Sequence, residues 1–115
     1  MATTPEGLVK DQVKSLLHKY LVLPASKAGA FPETARGWYF MPVQTGYGVK
    51  VLDFIGAYCG GNRTEAAFFS IETKAKGKKP TTNQVLQIEV MTQVKCKVFV
   101  IDGDLSELEA WLRAQ

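Results

Sequence analysis

The chain predicts an α/β fold, a mixed sheet in the order αβββαβ flanked by helices and followed by a C-terminal helix. Three observations carry this reading. Apolar residues recur at helical spacing near the start, at Leu8, Val9, Val13, Leu16, Leu17 and Tyr20. Three strand-like runs follow between residues 38 and 75, separated by glycine-bearing turns. A second helical stretch then leads to the apolar run Val98 to Ile101, the pattern of a crossover helix feeding a further strand. The 115 residues, 46% apolar and 22% charged, make one domain spanning 1–115.

Helix 1 is expected over residues 5–20. Thr3 as N-cap with Glu6 at the third helical position makes a capping box, and Pro5 suits the first turn. That gives Glu6 a structural explanation of its own. Lys10, Lys14 and His18 form a polar stripe at four-residue spacing, and His18 reads as a surface residue near the helix end. Residues 21–37 carry Pro24, Gly29, Pro32 and Gly37 without a sustained period; Leu21 to Leu23 can form a short extended piece. A connection of that length predicts a functional or mobile segment.

The first strand is expected over 38–43, aromatic and ending near Pro42, as suits a sheet edge. The second spans 49–58, after a loop of Gln44 to Gly48, and the third 64–75, after the turn-rich Cys59 to Arg63. Thr81 to Gln84 forms a second capping box ahead of Val85, Leu86, Ile88, Val90 and Met91. Residues 95–102 read as a buried strand, and Asp104 to Glu107 cap a last helix through Leu108, Trp111 and Leu112.

Several classes are excluded by composition. No window approaches 18 uncharged apolar residues, and residues 1–6 contain no apolar secretory core, so a cytoplasmic chain without membrane contact is expected. Cys59 and Cys96 are not in a Cys-x-x-Cys pair and read as buried, reduced thiols. His18 is the only histidine, which argues against histidine-rich metal sites. The net charge of +3 is uneven: Asp102, Asp104, Glu107 and Glu109 cluster near the end, which leaves residues 1–101 with 13 bases against seven acids. Such a surface either attracts a polyanion or merely keeps the chain soluble.

The chemistry concentrates at Ser70-Ile71-Glu72-Thr73-Lys74 and the lysine-rich turn behind it. Residues i and i+2 of a strand project to one face, about 6–7 Å apart. Glu72 and Lys74 therefore stand together, with Ala67, Phe69, Ile71 and Thr73 on the other face. Burying such a pair is expensive unless it has a task or an ion to serve, although a strand-end ion pair would look the same. Asp53, between Leu52 and Phe54, is a second charge in an apolar run. Its strand is the antiparallel neighbour of the third, so the two carboxylates can meet at one end of the hairpin. Two carboxylates and the Thr73 carbonyl between Glu72 and Lys74 form an oxygen donor set that suits Mg²⁺.

At these residues the chain resembles the PD-(D/E)xK nuclease superfamily, and most closely its VRR-NUC branch. The matching stretches are the helical Glu6, Gly46 to Gly56 around Asp53, Ile71-Glu72-Thr73-Lys74, Thr81 to Gln84, and Val98 to Gly103. Leu52 stands where the family usually has proline, and Gln44 to Gly48 where it usually has a basic or serine-rich run. The resemblance implies a restriction-endonuclease-like core and Mg²⁺-dependent DNA hydrolysis, with Mn²⁺ able to substitute. It makes Asp53, Glu72, the Thr73 carbonyl and Glu6 metal ligands, Lys74 the catalytic lysine, and Gln84 a polar group turned toward the site.

Lys76, Lys78 and Lys79 follow the catalytic strand directly and, with Lys10 and Lys14, are expected to contact DNA phosphates. The function expected is a stand-alone endonuclease from a bacterial or phage-infected cytoplasm. Branched DNA such as a Holliday junction or flap would need two active sites and so a homodimer. The alternative is a non-catalytic DNA-binding module that uses the same basic face.

Overall fold

A computed structural model describes residues 4–43 and 52–115. Helix α1 runs Pro5–Lys19. Its N-cap is Thr4, whose hydroxyl accepts the Gly7 N–H at 3.0 Å, rather than Thr3. The one-residue shift puts Gly7 at the third helical position, so Glu6 does not close a capping box and is left for other contacts.

Among the described residues the sheet has five strands in the spatial order β1-β2-β3-β4-β5: Val22–Pro24, Gly37–Phe40, Phe54–Tyr58, Ala67–Thr73 and Lys97–Ile101. β1 and β2 are parallel, β2, β3 and β4 form an antiparallel meander, and β4 and β5 are parallel. The parallel β4–β5 pair is joined by α2, Thr82–Gln93. Helix α3, Ser106–Ala114, ends the chain, with Asp104 accepting the Ser106 N–H and hydroxyl at 3.0 and 2.7 Å.

Two expectations about the first half are corrected. β2 is not an edge strand, because the short extended piece after α1 pairs beside it as β1. The segment between α1 and β2 is also more structured than its composition suggests. The Leu21 carbonyl accepts the N–H groups of Arg36 and Gly37 at 2.9 and 3.2 Å, and a 3-10 helix occupies Ala25–Ala30. The strand expected over 38–43 begins one residue earlier, at Gly37, and stops at Phe40; those expected over 64–75 and 95–102 are shorter at both ends; and residues 44–51 of the expected loop and second strand lie outside the described residues.

One face of the sheet carries the core. Tyr39, Phe54, Phe69, Ile71 and Phe99 meet Val13 and Leu17 of α1 and Leu108 and Leu112 of α3. Trp111 of α3 packs edge-on against Phe69 and Phe99, with ring centroids 6.0 and 5.7 Å apart. Gly56 has no room for a side chain, because a Cβ there would lie 2.5 Å from the Phe69 ring and the Trp38 carbonyl oxygen.

Helix α2 lies on the other face and is positioned by its ends. Thr81 and Gln84 form the capping box expected for them, Thr81 Oγ1 accepting the Gln84 N–H and Gln84 Oε1 accepting the Thr81 N–H. At the other end the Cys96 N–H reaches the Met91 carbonyl and the Lys95 N–H that of Thr92. This is a Schellman closure, with Lys95 in the left-handed position at φ 73° that glycine usually fills. Cys59 and Cys96 are half-buried rather than buried, and both are free thiols.

Candidate active site

The site forms where the end of β4 meets the chain entering β3, with α1 approaching from one face and α2 from the other. Phe54 of β3 pairs with Ile71, which brings Asp53 beside the end of β4. The strand that carries the site is buried on both faces: Ser70, Glu72 and Thr73 are all 2% exposed or less. Such burial requires a partner for every polar atom. Ser70 Oγ donates to the Phe54 carbonyl at 2.9 Å and so ties β4 to β3 two residues before Glu72.

Glu72 Oε2 accepts Gln84 Nε2 at 2.7 Å and lies 3.3 Å from Lys74 Nζ. Gln84 thus uses its oxygen to cap α2 and its nitrogen to hold Glu72, which fixes both the helix start and the carboxylate. Asp53 is held as firmly. Its Oδ2 accepts the Thr73 N–H at 2.9 Å and the Thr73 hydroxyl at 2.7 Å. Its Oδ1 is 3.8 Å from Lys10 Nζ, which is 3.4 Å from Glu6 Oε2. The N–H and C=O of one strand residue point to the same edge. The Thr73 carbonyl therefore faces the side on which Asp53 stands.

Among the described residues, three carboxylates, Glu6, Asp53 and Glu72, are matched by two ammoniums, Lys10 and Lys74. The imbalance is felt at Glu72. Its pKa rises to about 7, chiefly through burial, then through the Asp53 charge, with Lys74 pulling it down and Glu6 adding to the rise. A bound cation would relieve that repulsion. Among the described residues no group of three His, Cys, Asp or Glu is placed to hold a metal ion. The groups that could hold a divalent ion here are the Asp53 and Glu72 carboxylates and the Thr73 carbonyl, and a set of this size would leave coordination positions to water. Glu6 is paired with Lys10 and 41% exposed, at the margin of this set.

The expected site residues therefore separate into two groups. Asp53, Glu72, Thr73, Lys74, Gln84 and Glu6 converge on one end of the sheet. Lys76, Lys78 and Lys79 are exposed in the turn after β4, where Gly77 at φ 81° reverses the chain. Lys14 stays on the outer part of the α1 stripe, partly exposed. Lys10 differs from the expectation of a DNA contact, because its ammonium turns inward to Glu6 and Asp53. Its place four residues after Glu6 was the available signal. The Thr73 hydroxyl was also missed, since a threonine on the core-facing side of a strand gives no cue that its Oγ1 will cap a neighbouring aspartate.

No protein-family model, curated protein or solved structure matches the chain.

Proposed function

We propose that this chain is a Mg²⁺-dependent deoxyribonuclease of the VRR-NUC type, hydrolysing phosphodiester bonds of branched or duplex DNA. The observation that carries the reading is the junction of the buried Glu72 with the partly buried Asp53 and Lys74 at one end of the sheet, pinned by Thr73 and Gln84. A non-catalytic DNA-binding module has no use for two carboxylates facing a polyanion. They would repel phosphate and cost desolvation.

When bound, Mg²⁺ (or Mn²⁺) would polarise the scissile phosphodiester and lower the pKa of an attacking water. The chain's own residues supply the rest. Thr73 and Gln84 immobilise the two carboxylates, so no reorganisation is needed as substrate arrives. Lys74 Nζ, with a side chain only 13% exposed, is positioned to donate to a non-bridging phosphate oxygen as negative charge builds there. Lys10 offsets the Glu6 and Asp53 charges from behind. Lys76, Lys78 and Lys79 supply sequence-independent backbone contacts beside the site. The test is cleavage of labelled single-strand, duplex, flap and four-way-junction DNA with Mg²⁺, Mn²⁺ or a chelator.

The reading includes a homodimer with one active site for each strand of a junction. The sheet face opposite the core supports it. Trp38, Phe40, Phe68 and Val100 lie on that face, and Leu86 and Val90 on α2; each is at least 38% exposed. Exposed apolar side chains on one face are the kind an interface would cover, and a standard interface needs about 800 Å² from each partner. A second copy, meeting the same face about a twofold axis, would cover it. A monomer mass by sedimentation at micromolar concentration removes this part of the reading, and Phe68→Glu is expected to dissociate the dimer.

No helix among the described residues is long and apolar enough to cross a membrane. The free thiols Cys59 and Cys96 favour a reducing compartment, in keeping with a cytoplasmic nuclease.

A further inference from the structure

We propose that a second phosphate-binding subsite lies beside the active site, in the cleft between α1 and β2 lined by Lys14, His18, Ser26 and Tyr39. It takes a backbone phosphate of the DNA strand being cut, about two nucleotides from the scissile bond. The proposal rests on the nuclease reading and extends it to how the strand is held.

The α1 stripe sets the geometry. Glu6, Lys10, Lys14 and His18 follow at four-residue spacing and so share one side of the helix. At 1.5 Å of rise per residue, His18 is about 12 Å along the axis from Lys10. Successive phosphates of one strand wind around the duplex and lie about 7 Å apart through space, about twice the axial rise, so that distance corresponds to roughly two phosphates. Lys10 reaches Asp53 in the active site, whereas Lys14 and His18 line the cleft. The stripe therefore runs from the reacting phosphate to the cleft without leaving one helix.

The cleft suits an anion. Its volume is about 470 Å³, and its polar lining is Lys14, His18, Ser26 and Tyr39, with no Asp or Glu among the described residues that line it. His18 Nε2 lies 3.3 Å from the Tyr39 hydroxyl. Tyr39 is 3% exposed, and its ring packs on Phe54 at 5.6 Å, next in sequence to Asp53. The hydroxyl is thereby anchored through the core to the entry of β3. An ammonium, an imidazole and an anchored phenol around one opening can together hold a phosphate diester. Pro24, Ala25, Phe40 and Met41 supply an apolar wall for the sugar.

The test uses the Lys14→Glu/His18→Ala double variant, with Tyr39→Phe as a milder probe. KM is measured on DNA substrates shortened stepwise from either side of the scissile bond. On long substrates the double variant is expected to raise KM about tenfold. Once one side is cut back to fewer than two nucleotides, wild type and variant should converge, because the phosphate is gone for both. Equal KM for wild type and variants at every length would overturn the subsite while leaving the nuclease intact. If wild type cuts no substrate, the nuclease reading fails. The subsite is then judged by anisotropy of a labelled duplex in Ca²⁺, where an unchanged affinity and salt slope in the double variant overturns it as well.

Discussion

Lys74→Met is expected to lower the rate of DNA cleavage by about 10²–10³-fold, the usual cost of removing one preorganised donor to a developing charge. DNA affinity in Ca²⁺ should change by no more than a few-fold, because the phosphate contacts we propose fall to the exposed Lys76, Lys78 and Lys79 rather than to Lys74. The reason lies in the placement of the ammonium. It is held 3.3 Å from Glu72 Oε2 and is 13% exposed, so water does little to screen it from a phosphate in the site. Lys74→Arg should not restore activity, since a planar guanidinium cannot replace a compact ammonium in that space. If the protein were a binding module, Lys74→Met would weaken DNA binding slightly and there would be no cleavage to lose. Single-turnover cleavage beside an anisotropy titration separates these outcomes.

Glu72→Gln is expected to abolish metal-dependent cleavage and, in the absence of metal, to stabilise the protein above neutral pH. The Glu72 pKa in the folded chain is about 7, against 4.5 for an ordinary glutamate. Between these values the folded state holds a proton that the unfolded state has lost, so stability falls as pH rises through that window. Below pH 4.5 the carboxyl is protonated in both states and the penalty vanishes. Above pH 7 it is present in full. A rise of that size, which already includes the pull of Lys74, corresponds to at most about 3 kcal/mol. Gln at 72 carries no charge to desolvate and can still accept from Gln84 Nε2. Thermal melts of wild type should therefore show a Tm that falls from pH 5 to pH 8, while Glu72→Gln stays flat over the same range. Mg²⁺ should reduce the loss in wild type alone. A concentration ten times the dissociation constant contributes about 1.4 kcal/mol. A Tm of wild type that rises with pH, or the same Mg²⁺ response in both proteins, would contradict this account of Glu72.

Much of this arrangement was legible in the sequence, for reasons that particular residues make clear. The i, i+2 geometry of a strand is rigid, so Glu72 and Lys74 had to share a face wherever the sheet lay. The Thr81–Gln84 cap was legible because its two residues satisfy each other's backbone locally. What escaped depended on longer contacts or on a balance of near-equal choices. Thr3 and Thr4 are both able N-caps, and only the register of α1 decides between them. That choice also decides whether Glu6 caps a helix or pairs with Lys10. β1 is three residues long and was visible only as a short extended piece, because its pairing with β2 depends on how α1 ends at Leu21 rather than on its own pattern. The inward turn of Lys10 likewise needs Asp53, 43 positions away, to be in place. The cleft at His18 joins α1 to β2 and has no local signature.

The most direct test of the central claim is cleavage of a labelled four-way junction by purified protein in Mg²⁺, with a chelator control and Asp53→Ala in parallel. The account predicts cutting by wild type, none in the chelator, and none by Asp53→Ala. Cutting by Asp53→Ala at the wild-type rate would contradict it, as would intact DNA after incubation of folded, DNA-binding wild type with Mg²⁺ and Mn²⁺.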